Sequence, residues 1–421
     1  MSKALKVAVA GVGTVGAGVI QNIYDKSDLF EQRTGVKISV TDISSRTKAG
    51  RAVDISPYRW HDNPLDLVSS EADIIVETIG GEAGIALDLI TKALKAGKHV
   101  VTANKALLAM HGNDVAKLAE ENNVSLNYEA AVAGGIPIIK ALKEGLSANT
   151  HQRLYGILNG TCNYILTKMQ ETGGSFDNIL KEAQDLGYAE ADPTLDIGGF
   201  DAAHKLTLLS SLAFGVPVNY AATSVEGIEH ITALDIAYAD RLGYCIKLFG
   251  LASRAGSSIM QRVHPVLLPP NMHGASVSGA YNAVIVQSDY AEDSVLVGCG
   301  AGRTPTASAV VADILDIARG IKTPVFGIPT DKMVDADFAP LDAHHGRYYL
   351  RLCLQDKAGA MSKVTSLLAE HDISVENLIQ KDQNTENSRH VIITTHDTSE
   401  KTMQKALKDI DAIDYSVAKP V

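Results

Sequence analysis

The stretch AGVGTVGAG, residues 10–18, constrains this chain more than any other. It follows the apolar run VAVA and precedes VIQNIY, whose apolar residues have helical spacing. Gly11, Gly13 and Gly16 fit GxGxxG in a strand–turn–helix setting, which is the context the pattern needs to carry meaning. The first glycine permits a tight turn, and the second lets a pyrophosphate approach the backbone. The third lets helix and strand pack closely, and the N-terminus of the helix, at Thr14 and Val15, favours an anion. A purely structural turn is the alternative.

The surroundings favour the phosphate reading. KVAVAGV, KISVTDI, ADIIVETI, KHVVTAN and VSLNYEA alternate with the helical patterns VGAGVIQNIYDKS, GIALDLITKALKAG and NDVAKLAEENN. Continuous apolar strands alternating with helices imply an α/β domain with a doubly wound parallel sheet of the Rossmann kind. At 421 residues the chain is too long for one ordinary core, so two or three domains are expected. From about residue 150 the candidate strands RLYGILNG, RVHPVLL, NAVIVQSD and SVLVGCG are separated by long helices, which suggests an α+β domain with a mixed sheet and helices on one face. Residues 331–347, DKMVDADFAPLDAHHGR, lack periodicity and read as a linker in which His344 and His345 are solvated. The remainder has the order β-α-β-β-α-β of a ferredoxin-like module. The expected boundaries are 1–140, 141–330 with 299–320 returning to the cofactor site, the linker 331–347, and 348–421.

Composition excludes several function classes. A net charge of −11 without a cluster of Lys and Arg argues against nucleic acid as a partner, and 5% aromatic residues offer no stacking platform. No apolar run reaches the roughly 18 residues needed to span a bilayer, so no membrane association is expected. Cys162, Cys245, Cys299 and Cys353 form no CxxC pair, which points to free thiols, a reducing cytoplasmic setting and no cysteine zinc site.

The end of the second strand, VTDISSR, bears on cofactor choice. Asp42 can bind a ribose 2′-hydroxyl, as in NAD, whereas Ser44, Ser45 and Arg46 can hold the 2′-phosphate of NADP. In GCGAGRTPTASAVVADIL, residues 298–315, Gly300 and Gly302 can let a loop close over the cofactor before a helix capped by Thr304, with Pro305 in its first turn. Thr78 and Lys105 each follow a strand of the first sheet and should face the crevice beyond the strands' carboxyl ends.

Asp201 and Lys205 lie four apart in GGFDAAHKLTLLSSLAFG, a helix apolar nearly all round. A surface salt bridge is the ordinary reading of such a pair. Here both groups should be partly buried, where burial lowers a lysine pKa and a nearby carboxylate opposes the shift. Glu190, Asp192, Asp196 and Asp201 crowd into twelve residues, either as a solvated acidic loop or as partners for a substrate ammonium. EAAVAGGIPI, residues 129–138, is either a domain-crossing turn or a loop offering oxygens to a hard cation.

Together these elements resemble the homoserine dehydrogenase family with a C-terminal ACT domain, over essentially the whole chain. GILNGTCNYILTKM (156–169) and YAEADPTLDIGGFDAAHKL (188–206) are the most specific stretches, and the order of glycine turn, TANK, GILNGT, EADP, DxxxK and GAG matches throughout. The resemblance implies reversible reduction of L-aspartate 4-semialdehyde to L-homoserine with NADP, or NAD, in threonine, methionine and isoleucine biosynthesis. It implies Lys205 as proton donor and acceptor, Lys105 as its assistant at the cofactor junction, Glu190 as a substrate ligand, and Asp201 as the group that positions substrate and Lys205. It also implies a monovalent cation, sodium, on Glu129 and the carbonyls of Val132, Gly134 and Ile136. ACT modules either bind an amino acid at the first strand-to-helix turn, here QDKAGAMSKV with Asp356 and Gly359, or only dimerise. The implied effector is threonine and the implied assembly a homodimer or homotetramer. A dehydrogenase of another amino-acid-derived aldehyde and a non-catalytic dinucleotide and amino-acid sensor are the competing readings.

Overall fold

A computed structural model describes residues 4–48, 52–256, 258–385 and 387–421. The first sheet contains β1 (Ala4–Ala10), β2 (Lys37–Ser44), β3 (Arg59–His61), β4 (Ile74–Glu77), β5 (His99–Thr102) and β6 (Leu126–Asn127). All six are parallel, in the order β3-β2-β1-β4-β5-β6, so the chain reverses direction across the sheet between β1 and β4. Helices Ile85–Lys95 and Lys105–Glu121 cover the face carrying Ala8 and Ile75, while the helix Thr14–Asp25 covers that carrying Val7, Val9 and Val76.

The same face is completed from far along the chain. The helix Arg303–Arg319 contributes Ala307, Val310 and Ile314 to the core beneath the Thr14–Asp25 helix. Its approach depends on Gly18, where an added Cβ would lie 3.0 Å from both Ala307 Cβ and Arg303 O. Thr304 does not cap this helix. Gly302, at φ +121°, holds the cap position and Pro305 lies in the first turn.

The Lys105–Glu121 helix starts eight residues before the NDVAKLAEENN pattern suggests. Asn104 caps it by accepting the Leu107 N–H at 3.1 Å, and Gly112, packed on Phe326, obscures the helical pattern. A further helix, Ser27–Thr34, follows the first and ends at Gly35, whose φ of +70° suits a helix terminus.

The second sheet contains β7 (His151–Ile157), β8 (Thr223–Val225), β9 (Cys245–Ala255), β10 (Ser258–Leu268), β11 (Tyr281–Ser288), β12 (Asp293–Cys299) and β13 (Asp337–Phe338). Its order is β12-β11-β7-β9-β10-β13, with β8 also on β10; β8 and β13 pair parallel and the rest antiparallel. Helices Gly160–Thr172 and Phe200–Phe214 pack on one face, and Met272, Ala275 and Val277 of a loop cover the other. Thus residues 331–347 are not structureless, because β13 extends this sheet. His344 is half-buried against His264 rather than solvated, whereas His345 is exposed.

The C-terminal module contains β14 (His345–Gly346), β15 (Tyr349–Gln355), β16 (Val375–Thr385), β17 (Ser388–Thr395), β18 (Thr398–Ser399) and β19 (Ser416–Ala418). Its main sheet, β16-β17-β15-β19, is antiparallel, and β14 pairs with β18 alongside it. Helices Ala360–Glu370 and Glu400–Asp411 bury Val364, Leu368, Met403 and Ile410 against Leu350, Leu352 and Leu354. Arg351 Nε and Tyr349 OH both donate to the fully buried carboxylate of Asp235, at 2.8 and 2.9 Å, and tie the module to the domain of the second sheet. No helix among the described residues is long and apolar enough to cross a membrane.

Candidate active site and cofactor cleft

The three glycines divide their work as the spacing suggests. Gly11 has φ +94°, and a Cβ there would fall 2.5 Å from Thr78 O. A Cβ on Gly16 would collide with Gly11 O, so only glycine lets the helix approach the strand. Gly13 has no atom near its missing Cβ, which leaves a free cradle above the Thr14–Asp25 helix, where no side chain occupies the cap. Thr78 closes the turn from beneath, its hydroxyl donating to Gly11 O at 2.7 Å and Ala10 O at 3.0 Å. A cleft of about 600 Å³ opens here, lined by Gly11, Gly13, Ser44, Ser45, Arg46 and Thr78 among others.

Asp42 is not available to that cleft. Its buried carboxylate accepts from His61 Nε2 at 2.8 Å, within the β2–β3 pairing, and Arg59 lies 4.0 Å away. Arg46 is exposed at the cleft wall. Sequence reasoning missed Glu77, which is fully buried and accepts from the N–H groups of Ile79 and Gly80 and from the Thr102 hydroxyl. It pins the loops after β4 and β5 together. An acid ending the apolar strand IIVE was the available signal.

Asp201 forms the centre of the second constellation. Its Oδ2 accepts from Lys205 Nζ at 2.7 Å and from Asn159 Nδ2 at 2.9 Å, and its Oδ1 lies 3.1 Å from Lys105 Nζ. Lys205 also donates to Leu158 O at 2.7 Å and its side chain is only 8% exposed, whereas the Lys105 side chain is 35% exposed. Burial resists ionisation of Asp201, but the charges of Lys205 and Lys105 overcome it and hold the carboxyl well below its usual range. In return, the Asp201 charge raises Lys105 against the opposing effect of burial. Lys105 opens a helix of the first-sheet domain and Asp201 lies in the first turn of a helix of the second-sheet domain, so their ion pair brings the Phe200–Phe214 helix to the carboxyl ends of the first sheet.

Asn159, also missed, caps the Gly160–Thr172 helix through its carbonyl while its amide binds Asp196 and Asp201. Burial, then Asp201 beside it, pushes the Asp196 carboxyl up. Glu190 is exposed but adds to the negative field on Lys105. Asp192 folds back onto Thr194 and is used by the loop itself.

The proposed cation ligands lie where the domains join. Glu129 accepts the N–H groups of Ile139 and Lys140, one on each oxygen at 2.9 Å. Burial, reinforced by Asp313, raises its carboxyl to about 7. Ala133 and Gly134 take φ +56° and +44°, which turns the intervening backbone sharply. The Ile136 carbonyl already accepts from Ile138 N–H at 2.8 Å. Among the described residues no group of three His, Cys, Asp or Glu side chains could hold a metal, so any ion here would rely on carbonyls. The loop before the Arg303–Arg319 helix packs on this turn: Gly135 N–H donates to Cys299 O, and a Cβ on Gly134 would fall 2.6 Å from Gly300 O, while Gly302 caps the helix itself.

Comparison with known proteins gives this geometry a name. The homoserine dehydrogenase family model matches residues 137–315, its NAD-binding-domain model residues 11–129, and the ACT domain model residues 348–414. Homoserine dehydrogenase of Neisseria gonorrhoeae is 43% identical over all of this chain and 98% of its own. The chain belongs to the homoserine dehydrogenase family. The Pseudomonas aeruginosa enzyme is 42% identical with the same coverage. A crystal structure of homoserine dehydrogenase from Thiobacillus denitrificans superposes with a TM-score of 0.94 at 42% identity, covering 100% of this chain and 97% of that one. A hyperthermophilic archaeal homoserine dehydrogenase in complex with NADPH has a TM-score of 0.64 at 27% identity, covering 76% of this chain and 99% of that one. The activity is accordingly that of a homoserine dehydrogenase, an oxidoreductase with a dinucleotide-binding domain and an ACT domain. The sensor and the other-aldehyde readings fall away.

Proposed function

We propose that this enzyme works with NADP(H) and that Lys205 moves the proton. The Lys105–Asp201 ion pair across the two domains carries the reading, because it sets the buried Lys205 amine beside the cofactor crevice. A bound nicotinamide supplies or accepts the hydride. The cradle at Gly13 fits its pyrophosphate, and Arg46 with Ser44 and Ser45 suits a 2′-phosphate, while Asp42 is committed to His61.

Lys205 directs two of its three N–H bonds at Leu158 O and Asp201. The third is free for the aldehyde oxygen, which takes that proton as the carbonyl carbon is reduced. In the reverse direction the amine accepts the hydroxyl proton. Lys105, the more exposed of the two, assists at the cofactor junction, and Asp201 positions both amines. Glu190 binds the substrate ammonium. Glu129 and the carbonyls of Val132, Gly134 and Ile136 offer an all-oxygen set that fits sodium, whose charge would favour the ionised Glu129. Such an ion would stiffen the turn between domains. Gly302, at the cap of the Arg303–Arg319 helix that packs on Gly18, would let its loop close over the cofactor.

Threonine is the effector at the turn of Asp356 and Gly359, where Asp356 accepts from Arg389 Nε at 2.8 Å and Gly359 takes φ +92°. The enzyme is a cytoplasmic homodimer or homotetramer, a reading supported by free cysteines and by exposed Val295 and Val297 along the edge strand β12. Steady-state assay with homoserine, comparing NADP with NAD and adding threonine, tests cofactor choice and regulation together. Faster turnover with NAD at equal concentration, or no response to threonine, would overturn those parts.

A further inference from the structure

The helix that carries Asp201 and Lys205 begins without a side-chain cap. Gly199 holds the cap position at φ +83° and offers nothing to the free N–H groups of the first turn, in which Asp201 lies. The direction of this helix is therefore set by what packs on Ile197, Gly198 and Gly199. Val225 and Val263 close on Gly199 so tightly that a Cβ there would come within 3.2 Å of each. A second contact comes from one short segment, EGIEHI, residues 226–231.

In this segment Glu226 N–H donates to Val263 O at 2.8 Å, which continues the pairing of β8 with β10, and Ile228 N–H donates to Ile197 O at 2.8 Å. Gly227, between them, lies against the chain that enters the helix. A Cβ there would collide with Ile197 O and fall 2.6 Å from Gly198 Cα, and backbone atoms cannot step aside alone. Ile228 is fully buried, and Ile231 N–H donates to its carbonyl at 3.0 Å to close a turn. The far end of the segment is held by the C-terminal module. Arg351 of β15 donates from Nη2 to His230 O at 3.1 Å and from Nε to Asp235 at 2.8 Å. The other Asp235 oxygen accepts from the Thr232 N–H and hydroxyl, which fixes the start of the helix Ala233–Arg241. One guanidinium thus spans the end of the segment and the cap of the next helix, a reach that its fixed fork of donors provides.

We propose that Arg351 and Gly227 are positioning residues for the reaction. Arg351 sets residues 226–231, and Gly227 seats them on the chain entering the Phe200–Phe214 helix, which aims Asp201 at Lys105 across the crevice. Neither residue lines the cofactor cleft. The inference rests on the reading that this helix carries the proton transfer.

Steady-state kinetics of the full chain with homoserine and no added effector test it, with NADPH affinity measured separately by fluorescence titration. Arg351→Lys keeps a cation beside Asp235 but cannot span both acceptors, and should lower kcat by about 5-fold, the scale of one lost hydrogen bond. Gly227→Ala should lower kcat by about 10-fold or more, as overpacking displaces the turn. NADPH affinity should stay unchanged in both. The double variant should lose less than the product of the two losses, because both act through one segment. His371→Gln removes a 2.7 Å bond to Asp409 inside the module that does not involve residues 226–231, and should leave kcat at the wild-type value. Wild-type kcat in Arg351→Lys, a parallel loss of NADPH affinity, a double variant equal to the product, or an equal loss in His371→Gln would each overturn the proposal. Should Gly227→Ala fail to fold, Arg351→Lys against the His371→Gln control decides. Wild-type turnover in Lys205→Ala would sink the underlying reading, whereas wild-type turnover in Arg351→Lys alone sinks only this inference.

Discussion

At the glycine turn, Gly11 and Gly16 leave no space for a Cβ while Gly13 leaves a great deal. At the other end of the crevice, Asp201 is buried between Lys105 and Lys205 and is kept ionised by their charge. The first region makes a ligand site by subtracting side chains, so its chemistry lies in backbone N–H groups and a helix terminus. The second crowds charged side chains together and offsets the cost of burying them. A substitution in the first should act through volume, and one in the second through charge.

The largest effect expected is in the charged region. Lys205→Ala should lower kcat by about 100-fold or more, the usual scale for removing a general acid–base, with cofactor affinity nearly intact. Wild-type turnover in that variant would remove Lys205 from the chemistry. A loss of cofactor affinity instead would erase the distinction between the two regions.

The glycine turn is expected to split a pair of variants. Gly16→Ala should cost about 1–3 kcal/mol of stability, as overpacking does, because its Cβ meets Gly11 O. Gly13→Val fills empty space, so its melting temperature should stay near wild type while dinucleotide affinity falls by about 10-fold or more, given loss of close phosphate contact. Thermal melts and fluorescence titration with NADPH check both. Equal melting losses in the two would mean that the cradle is structural. Arg46→Ala should raise the KM for NADPH by about 10-fold and leave that for NADH unchanged, since only the former carries a 2′-phosphate.

The same contrast explains what could be read without coordinates. The glycine turn and the parallel sheet were legible because their determinants are local: continuous apolar strands, glycines at fixed offsets, and helices of regular period. The charged cluster was half legible. Asp201 and Lys205 are one helical turn apart, but Lys105 reaches Asp201 across 96 residues, and no local pattern records that approach. Asn159 and Glu77 were missed because each works through buried bonds to other segments. The strand β9, CIKLFGLASRA, runs unbroken although Gly250 breaks its apolar pattern, and β13 is two residues whose pairing with β10 is set by tertiary contact. His344 looked solvated for the same reason.

The smallest expected effect is also the most discriminating for the charged region. Lys105 is raised first by the Asp201 charge, with burial acting against it. Exchanging the carboxylate for an isosteric amide leaves burial unopposed by its nearest counter-charge, so Asp201→Asn should move the alkaline limb of the kcat/KM profile to lower pH. The stability signs agree. A carboxyl held below its usual range stabilises the fold above that range and loses the contribution as pH falls through the depressed value. A lysine held above its usual value stabilises below that value and loses the contribution as pH rises through the raised one. The wild-type triad therefore supports the fold between those limits, and Asp201→Asn should flatten the melting temperature against pH at both ends. An alkaline limb that stays in place, with kcat reduced, would mean that Asp201 orients Lys205 by hydrogen bonding and does not govern the protonation of Lys105.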